Sequence, residues 1–521
     1  MDSTKFLAWI DTQRQSACSG LSAEHRDRRG QFLTPCELAA RMAAMFSEPL
    51  PARVRLLDAG AGVGSLSAAF ILRALEQERR PKEISVWAVE IERAFLPQLG
   101  ATMARCEELC RNAGVRFHAE IEPHDFVAGA SSRLATNDLE ARPNCAILNP
   151  PYGKIRRSSA VHAALCGLEV DVPNLYAAFV SLALRLLAPA GQLVAITPRS
   201  FCNGPYFGAF RRELLATLAL RSIHVFDSRS RAFEEDRVLQ ENVIVHGIKG
   251  ARPGAVSVSR SFGPGERGHR RTLPWRSIVQ PNDPERFIRL ALEASDDRTA
   301  QLVTTLDSTL PDLAVQVSTG RVVEFRARAF LRRKLSASSV PLIHPCHLRQ
   351  GLVEWPGCGN SRPRALIRCA DTADWLLPAG NYVLTKRFTS KEERRRVVAA
   401  LYAAAGTESG LENHLNYYHR EGRGLPGWLA RGLWLYLNSS LVDAYFRQFS
   451  GHTQVNATDL RSLRYPNPPQ LRQLARLAPE QLPSQALIDR ALSQVLTPSA
   501  STKSRSRGGP RSRLGASSDS A

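Results

Sequence analysis

The chain has 521 residues, 44% apolar and 23% charged, with 69 Lys and Arg against 49 Asp and Glu and a formal net charge of +20. This is ordinary globular composition, long enough for about two to four domains. No run approaches the ~18 apolar residues of a membrane helix, and Met1-Asp-Ser-Thr-Lys-Phe6 is not a charged-then-apolar leader. The expectation is a cytoplasmic protein with no membrane partner. The 10 cysteines form no Cys-x-x-Cys pair; Cys106 and Cys110 share a helix face and Cys346 sits in His344-Pro-Cys-His347. Neither is a four-ligand zinc pattern, so free thiols and no metal are expected.

The charge is unevenly placed. Residues 1–250 carry 30 basic and 27 acidic side chains, whereas residues 251–521 carry 39 and 22. A balance of +17 in the second half implies a polyanionic partner, most often nucleic acid.

In chain order, Thr34-Pro35-Cys36-Glu37 reads as a capping box opening a helix through Leu38, Met42, Met45 and Phe46. From Val54 strands and helices alternate. Strands are predicted at 54–57, 84–89, 115–121, 145–148, 191–197, 222–226 and 242–248, with an apolar helix over 175–187. That order argues a doubly wound α/β sheet with ligands at the strand C-termini. Residues 251–275, rich in Gly, Pro and Arg, read as a linker. Residues 276–497 mix short strands such as Tyr382–Thr385 with helices, the clearest over 431–450. Residues 498–521, Ser, Arg and Gly with few apolar groups, read as a disordered basic tail.

Asp58-Ala-Gly60-Ala-Gly62-Val-Gly64 joins the first strand to a helix, where glycines allow a tight turn and close approach of a ligand. Glu90 ends the next strand, where a carboxylate accepts both hydroxyls of a ribose. These two features suit NAD and S-adenosylmethionine equally, and a plain tight turn with a surface carboxylate also fits.

Asn149-Pro150-Pro151-Tyr152 ends the fourth strand. An exocyclic amine on a heteroaromatic ring is a poor nucleophile because its lone pair is delocalised. The Asn149 side-chain carbonyl and the Pro150 backbone carbonyl can accept both amine hydrogens, which stabilises charge developing on that nitrogen. Consecutive prolines fix the backbone, and Tyr152 offers a face on which an extruded base can stack.

With these motifs the chain resembles the N6-adenine DNA methyltransferases of the gamma class. Gln31-Phe-Leu-Thr34-Pro35 resembles the segment that encloses the cofactor in that class, and Asp125-Phe126 resembles the pair beside the cofactor's adenine. Asn174-Leu-Tyr176, Ile196-Thr-Pro-Arg199 and the run Phe233 to Ile248 resemble later segments of that class, and Lys386 to Lys391 and Leu437 to Arg464 are similar to the BsuBI/PstI-type modification methylases, so the resemblance covers about 28–466. It implies a Rossmann-like seven-stranded methyltransferase domain (1–250) followed by a mixed α+β DNA-recognition domain (276–497). It further implies S-adenosylmethionine as cofactor, bound by Thr34, Asp58, Gly60, Gly62, Glu90, Asp125 and Phe126. Double-stranded DNA is the implied partner, with adenine methylated in CTGCAG in a prokaryotic cytoplasm and a separately encoded endonuclease acting on the same site.

Candidate DNA contacts are Phe233, as a second face for the base, Lys386, Arg387 and Lys391 with Arg394-Arg395-Arg396, for phosphates, and His452, Gln454 and Asn456, for base edges. A core phenylalanine, a solvated helix face with a Glu392–Arg396 pair, and a loop capped by Asn456 with Asp459 compete with these readings. Two other functions stay open. Protein glutamine methyltransferases, with RNA methyltransferases beside them, use related chemistry, but the glutamine enzymes are shorter and lack a basic second domain. A non-catalytic DNA-binding module leaves the cofactor motif unexplained.

Overall fold

The computed structural model describes residues 3–19, 32–136, 138, 140–226, 241–266, 268–357, 359, 362–389, 393–404, 406–450 and 453–496. They form two compact units: Met1–Thr305 with Lys386–Val397 and Asp443–Leu463, and Leu306–Thr385 with Val398–Val442 and Arg464–Ala521.

The first unit is built on one sheet. In chain order its strands are β1 (Arg53–Ala59), β2 (Glu83–Val89), β3 (Arg116–Glu122), β4 (Cys145–Leu148), β5 (Gln192–Pro198), β6 (Leu218–Phe226), β7 (Asn242–Lys249), β8 (Val256–Ser261) and β9 (His269–Leu273). They lie in the order β3-β2-β1-β4-β5-β7-β6-β8-β9. β1 to β5 are parallel, and β7 runs antiparallel to both β5 and β6. Alternating side chains divide the core between two faces. Val54 and Leu56 of β1, with Cys145 and Ile147 of β4, meet Leu38, Met42 and Phe70. Leu57, Ala59, Ala146 and Leu148 meet Phe126, Tyr176 and Phe179 on the other side. Strands covered on both faces read as continuous apolar runs, which is why this α/β sheet is legible in the sequence.

All seven expected strands are present, but the sheet has nine. The stretch 251–275 is not a linker: Val256 and Val258 of β8 are buried in the core, β8 pairs parallel with β6, and β9 pairs antiparallel with β8. Gly263-Pro264-Gly265 lies in the turn between them. The first unit also runs beyond 250, and it recruits Asp443–Leu463 through buried polar contacts. Arg199 donates to Gln448 O at 3.0 Å, and Asn203 to Asp459 Oδ1 at 3.2 Å.

The second unit is mixed α+β. A six-stranded sheet runs Gln316–Thr319, Leu415–His419, Gly380–Lys386, Ala399–Ala404, Leu352–Val353 and Leu348–Arg349. A five-stranded sheet runs Leu331–Arg332, Ala365–Ile367, Ser339–Ile343, Ser409–Leu411 and Leu376–Leu377. The helix expected over 431–450 is two helices, Gly427–Leu437 and Ser440–Phe449. Asn438 Nδ2 donates to Trp434 O and Ala399 O, and Ser439 Oγ to Tyr436 O, so side chains share the backbone acceptors where the helix breaks. Cys346 is disulfide-bonded rather than free. The tail expected to be disordered lies outside the described residues. Among the described residues no helix is long and apolar enough to cross a membrane.

Candidate active site

The loop after β1 is held from several sides. Asp58, fully buried, accepts from Ser67 N at 3.2 Å and Ser67 Oγ at 2.6 Å, which ties the strand end to the first turn of the helix Ser65–Glu76. Burial pushes its carboxyl up to about 7, against the Ser67 hydrogen bonds. Gly60 and Gly62 have φ of +77° and +58°, in the left-handed region that L side chains avoid. Gly60 N and Ala61 N both donate to Val89 O, at 2.9 and 3.0 Å. Glu90, ending β2, accepts from Gly62 N through Oε2 and from Glu92 N through Oε1, each at 2.7 Å. It is buried, and desolvation raises its pKa. A carboxylate can accept about four hydrogen bonds, so the two backbone donors leave capacity for a ligand's hydroxyls.

After β3, Asp125 Oδ1 accepts from Val127 N at 2.7 Å at the start of the helix Phe126–Thr136. Phe126 is buried with ring centroids 6.1 Å from Trp87 and 5.0 Å from Phe179.

The turn after β4 carries the Asn-Pro-Pro-Tyr motif. Asn149 Nδ2 donates to Phe32 O at 2.8 Å and to Thr34 Oγ1 at 2.9 Å. Both amide hydrogens are thereby engaged, and the carbonyl oxygen Oδ1 remains to accept. This arrangement also explains the start of the neighbouring helix: it begins at Cys36 with Pro35 preceding it and no side-chain cap. The expected capping by Thr34 is replaced by its bond to Asn149. Pro150 is buried. Tyr152 is half-buried, 6.0 Å from the Phe32 ring and edge-on to Tyr176 at 6.2 Å, and Tyr176 donates to or accepts from Ser200 Oγ at 3.0 Å.

These loops surround a cavity of about 810 Å³. Of the expected residues, Gly60, Gly62, Glu90, Asp125, Phe126, Asn149 and Pro151 line it, together with Phe32 and Leu33. Thr34, Asp58, Pro150 and Tyr152 are not on its wall; Thr34 positions Asn149 and Asp58 anchors the glycine loop. Sequence reasoning missed His124, Lys154, Arg156 and Phe179, which also line it. The basic pair directly after the motif was a readable signal, whereas nothing in its apolar helix marks Phe179. Among the described residues no group of three or more His, Cys, Asp or Glu could hold a metal ion.

The expected DNA contacts divide. Phe233 and His452 lie outside the described residues, as do Lys391 and Glu392. Lys386, Arg387, Gln454 and Asn456 belong to the same compact unit as the cavity. Residues 387–389 and 453–455 run side by side: Val455 N donates to Arg387 O at 2.7 Å, Thr389 N to Thr453 O at 3.0 Å, and Phe388 bridges Gln454. Asn456 is instead a buried helix cap, its N donating to Asp459 Oδ2 at 2.8 Å ahead of the helix Ala457–Arg461. Arg396, expected at phosphates, is 1% exposed. It donates to Thr389 Oγ1 at 3.3 Å and Ser450 Oγ at 3.0 Å, while its backbone N donates to Asp443 Oδ1. Residues 393–397 are not helical, so the solvated helix face is absent too.

Comparison with known proteins extends the match across the whole chain. The Eco57I restriction-modification methylase family matches residues 144–233, which include the Asn-Pro-Pro-Tyr turn and β5. Type II methyltransferase M.PstI of Providencia stuartii is 41% identical over 492 residues, 94% of this chain and 96% of that protein. Type II methyltransferase M.BsuBI of Bacillus subtilis is 37% identical over 506 residues, 95% of this chain and 98% of its own. At that identity and coverage, the chain belongs to the BsuBI/PstI-type restriction-modification methylases.

Proposed function

We propose that the protein methylates the N6 amine of adenine in duplex DNA from S-adenosylmethionine, as the modification enzyme of a type II restriction-modification system. The observation that carries this reading is the engagement of both Asn149 amide hydrogens by Phe32 O and Thr34 Oγ1, which turns the side chain into a dedicated acceptor. An acceptor oriented in this way suits a nucleophile that presents N–H groups, and it has no use toward a ring carbon.

The cavity fits the cofactor. A Cβ on Gly60 would sit 3.8 Å from Phe179 Cε1 and 3.9 Å from Asn149 O, filling space that the glycine leaves for a ligand. Glu90 would accept the ribose hydroxyls, Asp125 the adenine amine, and the touching rings of Phe126 and Phe179 would offer one apolar wall to the adenine. When bound, the cofactor supplies a methyl group made electrophilic by the adjoining sulfonium. Asn149 Oδ1 accepts one hydrogen of the target amine and the Pro150 carbonyl the other, so electron density concentrates on N6 as the bond forms. Tyr152, held edge-on by Tyr176, offers its ring to the extruded base. Phe32 and Leu33 add apolar wall to the cavity.

The resemblance of the recognition segments supports CTGCAG as the target, a separately encoded endonuclease for the same site, and action in the cytoplasm. Asn149→Ala should abolish methyl transfer into DNA while sparing cofactor binding. Undiminished transfer of tritiated methyl by that variant would refute the mechanism, and sequencing DNA from an expressing host would identify the methylated site.

A further inference from the structure

The segment after the Asn-Pro-Pro-Tyr turn is fixed at both ends. Leu175 N donates to Gly153 O at 2.9 Å, Ile155 N donates to Pro173 O at 3.3 Å, and Lys154 bridges antiparallel to Asn174. At the other end Ser159 donates to Arg156 O through Oγ at 2.7 Å and through N at 3.0 Å, and its hydroxyl caps the helix Ala160–Gly167. The backbone is therefore set, and it places Lys154 and Arg156 on the wall of the cavity that Asn149 also lines. Both residues are exposed, and among the described residues neither side chain forms an ion pair. Arg133 and Arg199 of this unit, by contrast, are paired, Arg133 with Glu120 and Glu122 and Arg199 with Glu241.

Two cations without a counter-charge are a poor wall for a cofactor that itself carries a sulfonium, and a good one for phosphodiesters. An adenine turned into the cavity stays tethered to its own sugar, so its 5′ and 3′ phosphates must come to the cavity mouth as N6 reaches Asn149. In stacked DNA those phosphates lie along the regular backbone instead. Resting on the function proposed above, we infer that Lys154 and Arg156 hold the phosphates flanking the extruded adenosine, a contact made only in the flipped state. Such a contact offsets part of the cost of unstacking and carries no sequence information.

The test uses the full chain with cofactor, a duplex bearing the target sequence for methylation, the same duplex with 2-aminopurine in place of the target adenine for fluorescence, and an unrelated duplex of equal length. In Lys154→Gln/Arg156→Gln, single-turnover methylation should fall roughly tenfold for each charge-assisted hydrogen bond to phosphate that the substitutions remove. The 2-aminopurine fluorescence gain should fall with it. The slope of log binding constant against log salt should shrink by about 1.8 on the target duplex, two phosphates' worth, and stay unchanged on the unrelated one. Thermal melting and equilibrium dialysis of tritiated S-adenosylmethionine should match the unsubstituted protein. A target-duplex slope and fluorescence gain equal to the unsubstituted protein's would overturn the inference. So would a fall in cofactor affinity as large as the fall in rate, which would assign the cations to the cofactor's carboxylate. If the unsubstituted protein transfers no methyl to DNA, the functional reading fails as well; normal transfer with an unaffected variant sinks this inference alone.

Discussion

Replacing Thr34 by Val removes one hydroxyl and keeps nearly the same volume. Thr34 Oγ1 accepts one of the two Asn149 amide hydrogens at 2.9 Å, and Phe32 O accepts the other at 2.8 Å. Thr34 is 6% exposed, so water does not readily take the place of the missing acceptor. Leaving a buried donor unsatisfied costs about 1–3 kcal/mol, and the surviving bond to Phe32 puts the expectation in the lower part, about 1–2 kcal/mol. If that cost falls on the orientation of Oδ1 toward the reacting amine, the single-turnover rate drops roughly 5–30-fold. Cofactor affinity should not change, because Thr34 is absent from the cavity wall. Rapid-quench transfer of tritiated methyl, paired with cofactor titration, separates the two effects, and Thr34→Ser should restore the rate. A Thr34→Val enzyme as fast as the unsubstituted one, or a Thr34→Ser enzyme as slow as Thr34→Val, would refute the positioning role.

Gly60→Ala puts a side chain at φ +77°, which costs about 1–2 kcal/mol, and aims its methyl at the space between Phe179 and Asn149. Calorimetric cofactor titration should therefore register weaker binding by a folded protein, and unaltered affinity would contradict the assigned cavity. Burial raises the Asp58 carboxyl from 3.8 to about 7, so the folded chain holds a proton there that the unfolded chain has released. In that window the slope of unfolding free energy with pH is negative, and the contribution present below about 4 is lost as pH rises toward 7. Denaturant unfolding of Asp58→Asn should lack this component, and identical pH profiles for the two proteins would count against it. Arg396→Ala removes the hydrogen bonds that a buried guanidinium makes to Thr389 and Ser450 and should destabilise by about 2–3 kcal/mol while leaving the salt slope of DNA binding intact. A reduced slope with unchanged stability would return Arg396 to the phosphates.

What is legible in the sequence follows from locality. β1 and β4 are buried on both faces and read as apolar runs, and the glycine loop and Asn-Pro-Pro-Tyr turn sit at strand ends in a fixed order. The cap at Asn456 is also local, since its partner Asp459 is three residues on. The rest depends on partners far along the chain. Thr34 reads as a helix cap because its bond to Asn149 spans 115 residues. Arg396 belongs to an arginine run, and partners that include Asp443 and Ser450, 47 and 54 residues away, bring it inside. The helix break at Asn438-Ser439 is masked by an unbroken apolar period, because the competing acceptor on Ala399 is 39 residues off. Residues 251–275 read as a linker because the glycines and prolines around β8 and β9 outweigh the two inward valines of β8.

The most direct measurement is nucleoside mass spectrometry of duplex DNA after incubation with the protein and S-adenosylmethionine, run beside Asn149→Ala. The expected result is N6-methyladenine formed by the unsubstituted protein and absent with the variant, whose cofactor binding persists. Methylated cytosine, unmodified DNA, or equal N6-methyladenine from Asn149→Ala would contradict the assignment of Asn149 as the acceptor that activates an adenine amine.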